Sequence, residues 1–228
     1  MRKFLLFFFS HRTLALMRWD LHFLGIRIKN VIFSRTGDLL KSIRKKGGPL
    51  YLNLGSGPRG LTAASWINID GFKDKNVHYL CDFSRPLPFE NETFDGIFCE
   101  HVLEHFTYEN GRALLIECKR ILKKDGVLRI VVPDGNKILV AFFKEPDKIV
   151  EYKQVETGFP MEAVNTWFYQ RYEHQCIYDA GYLMDSLIKA GFNTTMHTSF
   201  GKTVVDANSI VLDDPKYSWE SLYVEAVK

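Results

Sequence analysis

The sequence is short of the features that mark several classes of protein. Its four cysteines, Cys81, Cys99, Cys118 and Cys176, lie far apart and include no C-x-x-C pair. That argues against a disulfide framework and against zinc, and it suits a reducing cytosol. No apolar run near the start is long enough to span a bilayer: residues 4–9, FLLFFF, are the longest, where a membrane helix needs roughly 20. They are followed by no small-residue cleavage site, so no secretory signal is read. Repeats and low-complexity tracts are missing. The basic residues fall in no nucleic-acid-binding motif, and no nucleic-acid partner is expected.

What remains is a chain of 228 residues, 46% hydrophobic and 25% charged, the composition of a globular domain of generous size with an appended segment. The net charge of +3 is unevenly placed. Residues 1–50 carry eleven Lys and Arg against Asp20 and Asp38, or +9, leaving −6 for the rest. In that front segment, Leu14, Leu16, Met17, Leu21, Leu24, Ile28, Val31 and Ile32 recur at helical spacing, with a break near Thr36 and Gly37. Two readings stay open. Amphipathic helices could pack on the main domain with arginines snorkelling outward, or the basic, apolar surface of residues 1–46 could meet anionic lipid or an acidic partner. Lys46-Gly47-Gly48-Pro49 closes the segment. The expected division is 1–48, a basic helical segment, and 49–228, the main domain.

The main domain is organised around residues 50–60, LYLNLGSGPRG. An apolar run of strand length ends in small residues, as where a buried parallel strand meets a loop whose backbone approaches a ligand. Gly55, Gly57 and Gly60 match G-x-G-x-x-G, a weak signal alone because any strand can end in a glycine turn. Beyond it the pattern alternates. Strands are expected at 50–54, 66–69, 77–80, 94–99, 127–132, 192–198 and 221–227. Helices are expected at 102–105, 109–123, 137–152 (interrupted at Pro146) and after Asp179. Residues 153–177, aromatic and polar without clear period, are a candidate lid or substrate-binding insertion. Strands alternating with helices mean a parallel sheet covered on both faces, with ligands beyond the strands' carboxyl ends.

In order, the blocks LNLGSGP (52–58), SWINID (65–70), LPF (87–89) with TFD (93–95), EHVLEHF (100–106), RILKKDG (120–126) and RIVVPD (129–134) resemble the class I S-adenosylmethionine-dependent methyltransferases. More narrowly, they resemble small bacterial members associated with cell-surface polysaccharide synthesis. The resemblance is strong over 50–135 and loose over 174–228. It implies an α/β, Rossmann-like three-layer sandwich with a seven-stranded, mostly parallel sheet whose last strand is antiparallel. S-adenosyl-L-methionine is the implied cofactor, and a small molecule or glycan precursor, through a sugar hydroxyl, the implied acceptor. The implied location is the cytoplasm, or the inner face of the membrane.

On this resemblance the cofactor residues are Asn53, Gly55, Ser56, Gly57, Asp70, Cys81, Asp82, Phe83 and Glu100. The glycine loop would admit the methionine moiety and Asp70 would accept from both ribose hydroxyls. Asp82 would take the adenine amine, with Phe83 flanking the base or merely packing in the core. Candidates to take a proton are His101, Glu104, His105, Asp134 and His174, with His101, His174 and Glu104 favoured. His101 and His105, placed four apart on a helix, have metal-ligand spacing but no identifiable third ligand, so no metal is expected; His105 reads as structural. Three departures stand out: Asn53 replaces the family's usual acid, Pro58 leaves little room for the helix that normally follows strand one, and Asp125 stands where glycine is commoner. A nucleotide-dependent oxidoreductase fits less well, because Asp70 follows Gly57 by thirteen residues rather than about twenty. A silent binding subunit would keep these residues too.

Overall fold

A computed structural model describes residues 7–45, 47–205 and 210–228; Arg2, Lys3, Lys46 and the first half of the 4–9 run lie outside them. Among the described residues, helices α1 (His11–Ile32) and α2 (Arg35–Arg44) precede a sheet of seven strands. The strands are β1 (Tyr51–Leu54), β2 (Trp66–Asp70), β3 (Tyr79–Leu80), β4 (Phe94–Glu100), β5 (Leu122–Pro133), β6 (Thr194–Thr198) and β7 (Ser221–Val227). Their spatial order is β3-β2-β1-β4-β5-β7-β6. All run parallel except β7, which is antiparallel to both its neighbours. Helices α3 (Tyr108–Ile121), α4 (Gly135–Lys144), α5 (Pro146–Lys153), α6 (Pro160–Tyr169) and α7 (Ala180–Lys189) complete the chain. This is the expected Rossmann-like sandwich.

The central strands are apolar on both faces because both are covered: Leu52, Leu54, Ile97, Leu128 and Val132 are fully buried. One core layer lies between the sheet and α3 and α7, and Leu39 and Ile43 of α2 join it. Trp66, Phe98, Val131, Ile210 and Tyr223 form a second layer. Ile138, Ile149, Ala163, Val164 and Trp167 form a third, within α4–α6.

Local differences from the expected elements have physical causes. The strand expected at 77–80 pairs only at Tyr79 and Leu80. The helix expected at 102–105 is a single tight 3-10 turn, Leu103–His105, because His101 takes φ +52 and breaks the strand-to-helix path. β5 begins at Leu122, with Asp125 (φ +61) and Gly126 turning inside it rather than before it. The 153–177 stretch is not wholly irregular. Pro160 occupies the first turn of α6, where its missing N–H costs nothing. Asp134 caps α4, accepting from the Lys137 N–H at 3.1 Å.

Candidate active site

The glycine loop is shaped by close approach. Gly55 has φ +73, and a Cβ on it would lie 2.1 Å from a Val102 methyl carbon. Its N–H and that of Ser56 both donate to the Ile69 carbonyl, at 2.9 and 3.1 Å, folding the loop over the end of β2. Only a 3-10 turn, Gly57–Arg59, follows where a helix would normally start. Beneath the loop, Asn53 is buried and its Nδ2 donates to Asn68 Oδ1 at 3.3 Å.

Beyond the carboxyl ends of β1 and β4 this loop borders a cavity of about 460 Å³. That lies within the roughly 300–1,000 Å³ typical of small-molecule sites. Glu100 and His101 form the facing wall, and Asp214 and Tyr217 close it from near the chain's end. Glu100 is held at both oxygens, by Arg59 Nη1 at 2.6 Å and the Asp214 N–H at 2.8 Å. Burial raises its pKa, an effect these two donors oppose. Arg59 Nη2 also donates to the Leu212 carbonyl at 2.7 Å. A larger hollow of about 1,070 Å³ lies between α2 and β3. It touches neither the glycine loop nor the end of β4, so the smaller cavity is the functional candidate.

His101 reaches into this cavity from β4. Its ring lies 4.4 Å from that of Tyr217, its Nε2 is 3.1 Å from Ser221 Oγ, and its Nδ1 is 3.2 Å from Glu104 Oε1. That last contact is at ion-pair distance, but neither Glu104 oxygen accepts a directed hydrogen bond from the described residues. Burial pulls the His101 pKa down, yet the adjacent Glu104 carboxylate outweighs it and the net shift is upward. Glu104 shows the complement: burial alone would raise it, and the neighbouring histidines bring it below the ordinary value. Behind this pair, His105 and His174 meet edge to face, with ring centroids 4.9 Å apart. His174 is buried, which lowers its pKa, and it does not line the cavity.

The adenosine side is organised differently. Asp70 ends β2 with Oδ2 accepting the Gly57 N–H and Oδ1 the Phe72 N–H, both at 2.7 Å. It therefore tethers the glycine loop and keeps a further lone pair on each oxygen. Asp82 is buried and already occupied: Arg27 of α1 pairs with Oδ2, while the Ser84 N–H (3.1 Å) and hydroxyl (2.6 Å) donate to Oδ1. An adenine amine would have to share that carboxylate with Arg27. Cys81 and Phe83 are buried in the core, and burial pushes the Cys81 thiol up to about 12. α1 is fixed along this border: His22 Nε2 lies 2.8 Å from the Gly71 carbonyl, Asn30 donates to the Leu80 carbonyl at 2.9 Å, and the His22 ring stacks on Phe72.

The sequence reading missed Arg59, Asp214 and Tyr217. Arg59 stood inside the recognised loop, but its partners come from 41 residues later (Glu100) and from the distant Leu212 and Asp214, which local spacing cannot reveal. The cavity residues suit an amino-acid-bearing cofactor. Ser56 Oγ is buried there with no partner among the described residues, and a buried hydroxyl left unpaired is costly.

Residues 61–130 match a family model described as a methyltransferase domain. An uncharacterised protein of Methanocaldococcus jannaschii is 31% identical over 126 residues, 48% of this chain and 52% of that protein. The chain thus spans about half the length of the curated relative it matches. A crystal structure of an S-adenosylmethionine-dependent methyltransferase from Thermotoga maritima superposes with a TM-score of 0.50 at 17% identity, covering 95% of this chain and 96% of that one. Another, from Archaeoglobus fulgidus, gives 0.49 at 14% identity over 96% and 100%. No described helix is long and apolar enough to cross a membrane. The fold is that of the S-adenosylmethionine-dependent methyltransferases, and S-adenosyl-L-methionine is the cofactor implied by the methyltransferase domain matched at its centre.

Proposed function

We propose that the protein is an S-adenosylmethionine-dependent methyltransferase whose acceptor is a hydroxyl on the sugar of a glycan precursor, nucleotide-linked or lipid-linked. The observation that carries this reading is the two-sided cavity. The glycine loop and the unpaired Ser56 hydroxyl face one side, and His101, backed by Glu104, faces the other. When bound, the cofactor supplies a methyl group on a sulfonium centre open to in-line displacement. The chain aligns the reactants and excludes water. A hydroxyl acceptor must also lose its proton as its oxygen bonds to carbon. Glu104 beside Nδ1 favours the tautomer in which Nε2, next to Ser221 Oγ, is the nitrogen that takes that proton. The choice of a sugar rests on the sequence resemblance.

Labelled methyl transfer to a panel of nucleotide sugars and lipid-linked saccharides tests the reading. We expect an alkyl ether on a sugar oxygen. His101→Gln should lower turnover about 10²–10⁴-fold while leaving S-adenosylhomocysteine affinity within about twofold. Wild-type turnover in that variant, or label on an amine, would overturn the proposed chemistry.

The partner side of the same reading is an anionic lipid surface at the inner face of the membrane, met through α1. Met17, Leu21, Leu24, Ile28 and Val31 recur at intervals of four, three, four and three, and all are exposed. They form a stripe on the face turned away from the core contact at Ile26, and Val31 is 79% exposed. Arg18 and Lys29, eleven residues apart, run along one edge of this stripe. A twofold pairing of copies would bring like charges together, whereas anionic headgroups complement them. Flotation with phosphatidylglycerol vesicles should carry the wild type and not the Leu21→Glu/Ile28→Glu variant. Equal flotation of both, or a concentration-dependent dimer that the double variant dissolves, would overturn this assignment.

A further inference from the structure

The contact with His101 compensates only one oxygen of the buried Glu104 carboxylate. The Glu104 side chain is 1% exposed and lies among three imidazoles, with His101 Nδ1 at ion-pair distance from Oε1, and no directed hydrogen bond from the described residues reaches either oxygen. A buried carboxylate in that state is costly unless a cation compensates it. We propose that Glu104, His105 and His174 bind one divalent first-row transition-metal ion.

The geometry supports the donor set. One ligand atom from each of the three residues lies within 4.8 Å of the others. Tetrahedral coordination at 2.0–2.1 Å requires donors about 3.4 Å apart, so the side chains close in by about 1.4 Å or less. Both histidines are already oriented for ligation. His105 Nδ1 lies 3.2 Å from the Glu173 carbonyl and His174 Nδ1 lies 2.5 Å from the Trp167 carbonyl. A carbonyl fixes the proton on the nitrogen that faces it, which leaves Nε2 of each ring as a lone-pair donor. Metal-binding histidines are held by this same arrangement of second hydrogen bonds.

The backbone frame is equally specific. The Gln175 and Cys176 N–H groups both donate to the Glu104 carbonyl, at 2.8 and 3.2 Å, and the Gln175 side chain donates to the His105 carbonyl at 2.9 Å. These bonds clamp the 3-10 turn after β4 to the segment following α6. They bring His174 to a pair of residues seventy positions earlier, supplying the third ligand that local spacing could not show. His101 Nδ1, 3.2 Å from Glu104 Oε1, orients the carboxylate from the cavity side. His105 is only half-buried, so its side of the site stays accessible to an entering ion and to water. Two imidazoles and one carboxylate favour Zn²⁺, Fe²⁺ or Co²⁺ over Mg²⁺ or Ca²⁺, which prefer all-oxygen sets. The proposal does not depend on the identity of the methyl acceptor.

The test uses the full chain, stripped with chelator and dialysed against Zn²⁺ or Co²⁺, with bound metal measured by mass spectrometry. We expect one ion per chain, visible d–d absorption with Co²⁺, and a higher Tm with Zn²⁺ than without. Glu104→Gln and His174→Gln should each lose the ion, and His197→Gln, on the exposed side of β6, should keep it. Should the buried variants fail to fold, His105→Gln at the half-exposed ligand makes the same comparison. Absence of stoichiometric metal in the wild type would overturn the assignment. So would wild-type stoichiometry in a folded His105→Gln or His174→Gln variant.

Discussion

Replacing Arg129 with Met should unfold more than one side chain's worth of structure. Arg129 lies in the middle of β5 and is 0% exposed. Its Nε and Nη2 grip both oxygens of Asp213, at 2.7 and 2.5 Å, and its Nη1 donates to Glu225 Oε1 at 2.8 Å. Its remaining N–H groups reach the Lys202 and Ser199 carbonyls at 2.9 and 3.2 Å. The two carboxylates also anchor the surrounding loop, through the Gly201 N–H to Asp213 and the Val204 N–H to Glu225. Methionine has comparable length and would leave two buried carboxylates without their cation. Breaking a buried ion pair from one side costs about 3–5 kcal/mol, about a fifth or more of the roughly 5–15 kcal/mol that holds a typical domain together. At about 2–4 °C per kcal/mol for a chain of this size, Tm should fall by about 6–20 °C. The loop so released carries Leu212 and Asp214, the partners of Arg59 and Glu100 at the cavity wall, so cofactor affinity should fall as well. Thermal unfolding followed by circular dichroism and a calorimetric titration measure the two effects. A loss of less than about 1 kcal/mol would refute the role assigned to the network. Full destabilisation with unchanged S-adenosylhomocysteine affinity would refute its link to the cavity.

Two further variants probe other parts of the account. Gly55→Ala combines a left-handed backbone with a 2.1 Å clash against Val102; it should cost more than about 1 kcal/mol and abolish S-adenosylhomocysteine binding in a titration. Glu117→Gln tests a pH effect. The Glu117 carboxylate is held below its ordinary value of 4.5 chiefly by Arg120, with the Leu87 N–H assisting against burial. A group depressed in the folded state stabilises above its unfolded pKa and loses that contribution as pH falls through the folded value. Urea midpoints should therefore converge between wild type and variant as pH drops below 4.5; a constant gap would contradict the pairing.

The legible parts of the fold are those set by local pattern. The apolar run ending at Gly55, the β-branched run ending at Pro133 and the alternation at the chain's end each correspond to strands, because burial on both faces or pairing at the sheet imposes those patterns directly. The interruption at Pro146 divides α4 from α5 for an equally local reason. The front segment kept two readings open, and the structure contains both surfaces: Ile26 and Arg27 meet the domain, while Leu21 and Val31 face away. The hidden parts depend on contacts between distant positions. Nothing near Asp82 signals that Arg27, fifty-five residues earlier, fills its carboxylate. Spacing in EHVLEH pairs His101 with His105, but a left-handed His101 turns the chain so that His105 instead meets His174. α6 was within reach, since Pro160 followed by Ala163, Val164 and Trp167 is a helix start with one apolar face, masked by the aromatic and polar residues around it.

The central claim is that the cavity beside the glycine loop binds S-adenosyl-L-methionine. Isothermal titration of the purified chain with S-adenosylhomocysteine, with NAD in parallel, tests it most directly. The account predicts one site per chain with micromolar affinity for S-adenosylhomocysteine and no heat with NAD. Absence of S-adenosylhomocysteine binding by folded protein would contradict it, as would NAD binding at the same site.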